Sequence, residues 1–412
     1  MLQIDHIYEF FYKTIFKDFD VWNFPSGVSP NNFDINSIRI FSQRQFLGKK
    51  IFFYDQEPFL SEIVTPYLNH YTNHTNYAPT EQEKINLPKI YTQPDLFSYI
   101  LTVSEKSSLV NKIAQEKKLM LLYYFFHGFA ALDWYRGYHA LNYNKPVVGH
   151  KKDFITFNRL ITEDRSYRIY FISQLANHNL LDKGLVSFGV SDDGQHWRDE
   201  LERNNHSKLS NHARQEIWNV LPDLPERLII DNEYCPGNYS ADIIRNIQHP
   251  NIKRVDTGSD YFKDVDAFWH IVTETVFYYD KLHLTEKIFK PIVSKQPFML
   301  LAAPGNLAYL KSYGFKTFDS VIDENYDTIQ DPDARVDAVV AQMKWYSELS
   351  DNDKLDVMKK LEPIIEHNFH HFYGEFKNII IDELLTNCKN LFKEIDYKET
   401  VDYDIIRKLL LN

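Results

Sequence analysis

Apolar residues fall into short runs between polar loops over most of this chain and recur at helical spacing near its end. "KKIFFYD" before Gln56, "FSYILTVS" before Glu105 and "LMLLYYFFHG" before Phe129 predict three strands that end in polar loops. Between the last two, "SEKSSLVNKIAQEKK" predicts a serine-capped helix carrying Leu109, Ile113 and Ala114 on one face. Strand, helix and strand in alternation imply a mainly parallel sheet. "LVSFGV", "RLIID", "AFWHIVTE", "PFMLLAA" and "FKTFDSVID" repeat the style, with helical material between several of them, and predict a second α/β unit. From about Asp333 the period changes. "ARVDAVVAQMKWYSEL", "DKLDVMKKLEPIIEHNFHHF" and "FKNIIIDELLTNCKNLFKEI" space their apolar residues as helices do. We expect an α/β domain over 1–150, a second over 151–332, and helices over 333–412 that pack back on both, with 145–154 as the linker.

Composition narrows the class. At 412 residues, with 44% hydrophobic and 25% charged side chains, the chain is long enough for two globular domains. Two cysteines, Cys235 and Cys388, offer no disulfide framework, which suits a reducing compartment. The N-terminal stretch mixes acids with its apolar residues and does not read as a signal peptide, and no run reaches the length of a membrane span. A cytoplasmic protein without membrane contact is therefore expected. The net charge of −11 gives no global pull toward nucleic acid. Nothing in the sequence fixes the oligomeric state.

Ligands of open α/β sheets bind beyond the carboxyl ends of the strands, so the residues after each strand are the candidates for chemistry. In "LHLTEKIFKPI" a helix capped by Thr285 would turn free N–H groups toward a phosphate, with Lys287 adding a point charge and Glu286 accepting from a ribose diol. The same residues also describe a plain capped helix whose first-turn acid favours the dipole. Pro291 makes that helix short or kinked, and Gly314 is placed to end the helix that follows the Pro-Gly turn downstream. In "IFFYDQEPFL" either Asp55 or Glu57 is placed to act as a general base at a strand tip, or merely to favour the first turn of a helix opened by Pro58. Arg159, Arg165 and Arg168 lie at or near one helix, where an arginine reaches a diphosphate or a charged face meets water. "FFHGFAALDWYRGY" brings His127, Asp133, Trp134, Tyr135 and Arg136 beyond a strand end, a mixture suited to a sugar or a base, although a buried, satisfied histidine fits it too.

Metal signals are weak. Asp331 and Asp333 have the spacing of a bridging pair but precede a helix, where aspartate is a common cap. His370 and His371 have no cysteine nearby to complete a zinc site. No G-x-G-x-x-G, Walker or G-x-S-x-G motif occurs, which removes the usual dinucleotide oxidoreductases, P-loop enzymes and α/β-hydrolases.

"FWHIVTET" followed by "LHLTEKIFKPIVSKQPFMLLAAPGNLAYLKSYGFKTF" resembles the donor-binding region of the fucosyltransferase-like GT-B glycosyltransferases. It is more similar to a group of phage-encoded glycosyltransferases that share "TEKIFKPI" and "GFKTF", and the likeness extends to "YDQEP" and "HGFAALDWYRGY". The resemblance implies two Rossmann-like domains facing a cleft, with C-terminal helices packing across. It also implies inverting transfer from a UDP-sugar or GDP-sugar, with no metal or other cofactor. Glu286 would hold the donor ribose, Lys287 and an arginine of the stretch from Arg159 to Arg168 the diphosphate, and Glu274 would line the donor pocket. Glu57, in "QEP", stands near the family's acceptor-side acid, with Asp55 as its competitor for the base. "VTET" stands where the family has an "ENS" type sequence, so nucleotide and sugar stay open. For a phage enzyme in the host cytoplasm the resemblance points to 5-hydroxymethylcytosine in DNA as acceptor, bound through His127, Asp133, Trp134 and Arg136. A surface glycan as acceptor and a non-catalytic nucleotide- or carbohydrate-binding module are the alternatives.

Overall fold

The computed structural model describes residues 4, 7–23, 39–40, 49–53, 58, 98–117, 119–136, 150–158, 161, 163–186, 188, 201–202, 208–220, 267–398 and 401–411. The chain forms two compact units, Met1–Asp133 with Lys377–Asn412, and Trp134–Phe376. Each is mixed α/β with a largely parallel sheet.

The first unit begins with helix α1 (Ile7–Lys13) and continues through strands β1 (Asp20–Asn23), β2 (Arg39–Ile40), β3 (Lys49–Phe53) and β4 (Ser98–Val103). Helix α2 (Ser108–Lys117), strand β5 (Met120–Tyr123) and helix α3 (Phe126–Trp134) follow, Trp134 opening the second unit. The strands lie in the order β2-β1-β3-β4-β5, parallel except for the β1–β2 pair. Ile113 and Ala114 of α2 are buried and Leu109 is half-buried, which is the face the spacing predicted. The run "LMLLYYFFHG" is only partly strand. It pairs as far as Tyr123, and from Phe126 it is helix, because the Phe126 N–H turns back to the Ser104 hydroxyl at 3.0 Å and leaves the ladder.

The second unit contains β6 (Lys152–Thr156), α4 (Tyr167–Asn177), β7 (Gly184–Val186), α5 (Asn211–Asn219) and β8 (Ala267–Thr273). It continues with α6 (Phe289–Val293), β9 (Phe298–Leu301), α7 (Asn306–Ser312), α8 (Pro332–Ser347) and α9 (Asp351–Tyr373). The described strands run β7-β6-β8-β9, all parallel, with Phe154 beside Trp269 and Ile271 beside Met299. Every residue of β8 and β9 is buried, as expected of parallel strands covered on both faces. Residues 152–154 of the expected linker belong to β6, while 145–149 and "RLIID" lie outside the described residues. "FKTFDSVID" is not a strand. Glu324 accepts from the Phe318 N–H and the Thr317 hydroxyl, both at 2.6 Å, and the Lys316 N–H goes to Asn368, so its polar groups bond outside any sheet.

Helix α10 (Phe376–Glu394) crosses the division, and from Lys377 on it and α11 (Tyr403–Leu411) complete the first unit. The helices expected over 333–412 thus distribute between the two units. Phe392 meets Phe16 at 5.6 Å and Phe19 at 5.8 Å, and Tyr397 meets Phe19 at 5.2 Å, so residues from the two ends of the chain share one aromatic core. Asn387 anchors α10 to β5 through the Tyr123 carbonyl at 2.9 Å.

Candidate functional site

The strand order of the second unit defines where a ligand would sit. The chain leaves β6 toward β7 on one side and returns to β8 on the other, so the carboxyl ends of β6 and β8 bound a topological switch point. The Thr273 hydroxyl closes that point, donating to the Phe157 carbonyl at 2.8 Å. Beyond β8 the chain is held by α4. Arg168 Nη2 donates to the carbonyls of Thr273 at 2.8 Å and Glu274 at 3.4 Å, and the Tyr167 hydroxyl donates to the Glu274 carbonyl at 2.6 Å. Tyr167 also stacks on Phe277, ring centres 3.9 Å apart. From α8, Arg335 reaches the Phe277 carbonyl at 2.7 Å and the Ile329 carbonyl at 2.5 Å.

On this stapled backbone five side chains converge. Glu274, fully buried, accepts at Oε1 from the Thr285 N–H at 3.1 Å, and at Oε2 from the Thr285 hydroxyl at 2.6 Å and the Thr275 N–H at 3.3 Å. The Thr285 oxygen in turn accepts from Lys287, the ammonium at 3.1 Å and the backbone N–H at 3.4 Å. Lys287 Nζ also meets Glu286 Oε1 at 3.0 Å and the Thr275 hydroxyl at 3.4 Å, while 36% of its side chain stays exposed. Burial pushes the Glu274 carboxyl up, and Lys287 and Thr285 offset this only in part. Burial pulls the Lys287 ammonium down, but Glu286 and Glu274 outweigh it and leave it above its ordinary value.

Thr285 caps as its sequence suggested, but the helix behind it is a three-residue 3-10 turn followed by the five residues of α6. So short a segment carries little dipole, and the cap already occupies the Lys287 N–H. The positive charge available at this turn is therefore the Lys287 side chain and not a helix end.

The other sequence candidates are placed as follows. Arg168 is buried and spends its guanidinium on carbonyls of its own unit. Arg165 ends a 3-10 turn and is half-buried. His127 and Asp133 are buried in α3, with Asp133 accepting from the Ile4 N–H at 2.9 Å, while Trp134 and Arg136 are half-buried. Asp331 caps α8 through the Ala334 N–H at 2.8 Å, and Asp333 bonds to Ser210. His371 bonds the Tyr313 carbonyl, and His370 is exposed, 3.4 Å from Glu366. Asp55, Glu57 and Arg159 lie outside the described residues. Among the described residues no three His, Cys, Asp or Glu side chains gather as metal ligands, and no helix is long and apolar enough to cross a membrane.

Three supporting residues escape sequence reasoning. Asn306 donates to the carbonyls of Lys281 and Ala303 and accepts from the His283 N–H, all within 2.8–2.9 Å, which ties the approach to Thr285 onto α7. Tyr167 and Arg335 fix the other end of the same loop. Each has a partner distant in sequence, 25 positions away for Asn306, 107 for Tyr167 and 58 for Arg335, so no local pattern signals them. No protein-family model, curated protein or solved structure matches the chain.

Proposed function

We propose that the protein is an inverting, metal-independent glycosyltransferase of the GT-B type that takes a sugar from a UDP-sugar or GDP-sugar to a hydroxyl acceptor. The observation that carries the reading is the Lys287 ammonium, part-exposed and oriented by two threonine hydroxyls at the switch point of a parallel sheet. A fixed cation there suits a departing diphosphate, whose developing charge needs stabilisation in the transition state. Glu286, next to it, carries a carboxylate, the group that accepts from a ribose hydroxyl. With Arg168 engaged on carbonyls, Arg159 or Arg165 is the arginine for the diphosphate.

The transfer also needs a carboxylate to take the acceptor proton, and Glu57 or Asp55 fills that role in this reading. The acceptor we favour is the hydroxyl of 5-hydroxymethylcytosine in DNA, on the strength of the sequence resemblance alone. The deciding experiment incubates the protein with UDP- and GDP-sugars and either hydroxymethylated duplex or oligosaccharide acceptors, following nucleotide release and product mass. Slow hydrolysis, or transfer to one acceptor, is expected. Binding without turnover under every combination would leave a binding module and end the enzyme reading, and transfer to oligosaccharide alone would replace the DNA acceptor. Glu57→Gln is expected to lower transfer by about 100-fold or more with donor affinity kept; if Asp55→Asn does this instead, Asp55 is the base.

A further inference from the structure

The polarity of the hydrogen bonds around Thr285 has a direction. With Glu274 ionised beside the Lys287 ammonium, its carboxylate only accepts, and the Thr285 hydroxyl, 2.6 Å from Oε2, gives its single proton to it. Both of its lone pairs then face away from the carboxylate, and both are used by Lys287, one by the ammonium and one by the backbone N–H. Oε1 of the same carboxylate holds the Thr285 N–H, so Glu274 fixes the backbone of the threonine as well as its hydroxyl. We infer that Glu274 is a positioning residue that sets the place and the charge of the Lys287 ammonium through the Thr285 hydroxyl. The inference deepens the donor-site reading and rests on it for its functional consequence.

The groups around this relay are Glu286 and Lys287 from the turn and Tyr167 and Arg168 from α4. Arg168 and Tyr167 reach the Glu274 backbone carbonyl and leave the carboxylate to the threonines. Glu286 touches Lys287 directly, at 3.0 Å, from the exposed side. Lys287 is thus gripped by one acid from outside and, through a neutral hydroxyl, by another from within. Removing the inner acid should leave a lysine that still pairs with Glu286 but lies against it, turned from the place an incoming anion would take.

Two measurements separate the relay from the donor reading. The first needs no ligand: reductive methylation of Lys287 with formaldehyde and borohydride, followed by mass spectrometry from pH 7 to pH 11. In Glu274→Gln the amide would donate to the Thr285 oxygen and displace the lysine, so Lys287 should lose its proton at lower pH and react faster at a given pH than in the wild type. Thr285→Val should behave the same way, and Thr285→Ser, which keeps the hydroxyl, should restore the wild-type profile. Identical profiles in all four proteins would overturn the relay. Melting temperatures recorded alongside separate this from simple loosening, because a purely structural defect would expose many lysines at once.

The second measurement is calorimetric titration with UDP and with GDP. Wild type and Thr285→Ser should bind one of them, and Glu274→Gln and Thr285→Val about tenfold more weakly, as for the loss of one oriented hydrogen bond. Wild-type binding of neither diphosphate, together with a shifted Lys287 profile, would end the donor reading and leave the relay standing. Equal affinity in all four proteins would deny the relay its role in binding.

Discussion

Arg335 lies over the ring of Phe277, its guanidinium carbon 4.2 Å from the ring centre, and also donates to the Phe277 backbone carbonyl at 2.7 Å. One side chain of α8 thus grips the loop after β8 through both its ring and its backbone. Burial pulls this guanidinium down to about 10, still charged at neutral pH. Arg335→Ala would remove the donors that two buried stretches share, and should cost about 3–5 kcal/mol in urea unfolding. Arg335→Lys keeps the charge without the fork and should recover only part of it. A cost under about 1 kcal/mol for the alanine variant would show that the loop holds itself.

Lys287→Ala should weaken UDP or GDP binding by roughly 10- to 100-fold, the range for a charge-assisted contact of about 1.5–3 kcal/mol. Calorimetry showing unchanged affinity would remove Lys287 from the donor site.

Gly314→Ala tests the end of α7. Its φ of +91° disfavours any side chain, and an added Cβ would come within 2.7 Å of the His371 ring. That ring cannot move freely, since Nε2 is 2.7 Å from the Tyr313 carbonyl oxygen. A loss of about 1–3 kcal/mol is expected in thermal or urea unfolding, and a neutral result would mean that His371 swings aside at no cost.

Asp327 should give the second unit a pH dependence. Its carboxylate accepts from the N–H groups of Leu307 at 3.0 Å and Ala308 at 3.3 Å, but burial outweighs these bonds and raises it from 3.8 to about 6. A carboxyl raised on folding favours the native state while protonated. Its contribution is therefore complete below pH 3.8 and disappears as pH rises through about 6. The full swing is on the order of 3 kcal/mol. Asp327→Asn should remove it, so the stability difference between wild type and variant should change between pH 4 and pH 7, and a constant difference would contradict the assignment. His371 works the other way, burial lowering it, so its contribution is present above the ordinary histidine value and fades as pH falls. The variant comparison isolates Asp327 from that opposing trend.

What could be read from the sequence was local. The Thr285 cap, the shortness of the helix containing Pro291, the left-handed Gly314 and the Asp331 cap each depend on neighbours within a few positions. Buried strands such as "AFWHIVT" announce themselves by unbroken apolar character. Arg168 and Asp133 did not, because their partners lie 105 and 129 positions away. From the sequence an arginine on a helix and an aspartate beside a tryptophan suggested ligand contacts, whereas the fold uses both to satisfy buried backbone groups. "FKTFDSVID" misled for a related reason: its apolar spacing fits a strand, but Glu324 and Asn368 take its backbone hydrogens first.

The shared core of Phe16, Phe19, Phe392 and Tyr397 bears on how the molecule is made. A ribosome releases residues 1–133 long before the segment that completes their core, and the whole of 134–376 emerges in between. The second unit therefore has all its residues while the first still exposes the aromatic surface that Phe392 and Tyr397 will cover. Such a surface is a site for chaperone capture or aggregation during synthesis. The unit begun first is the one finished last.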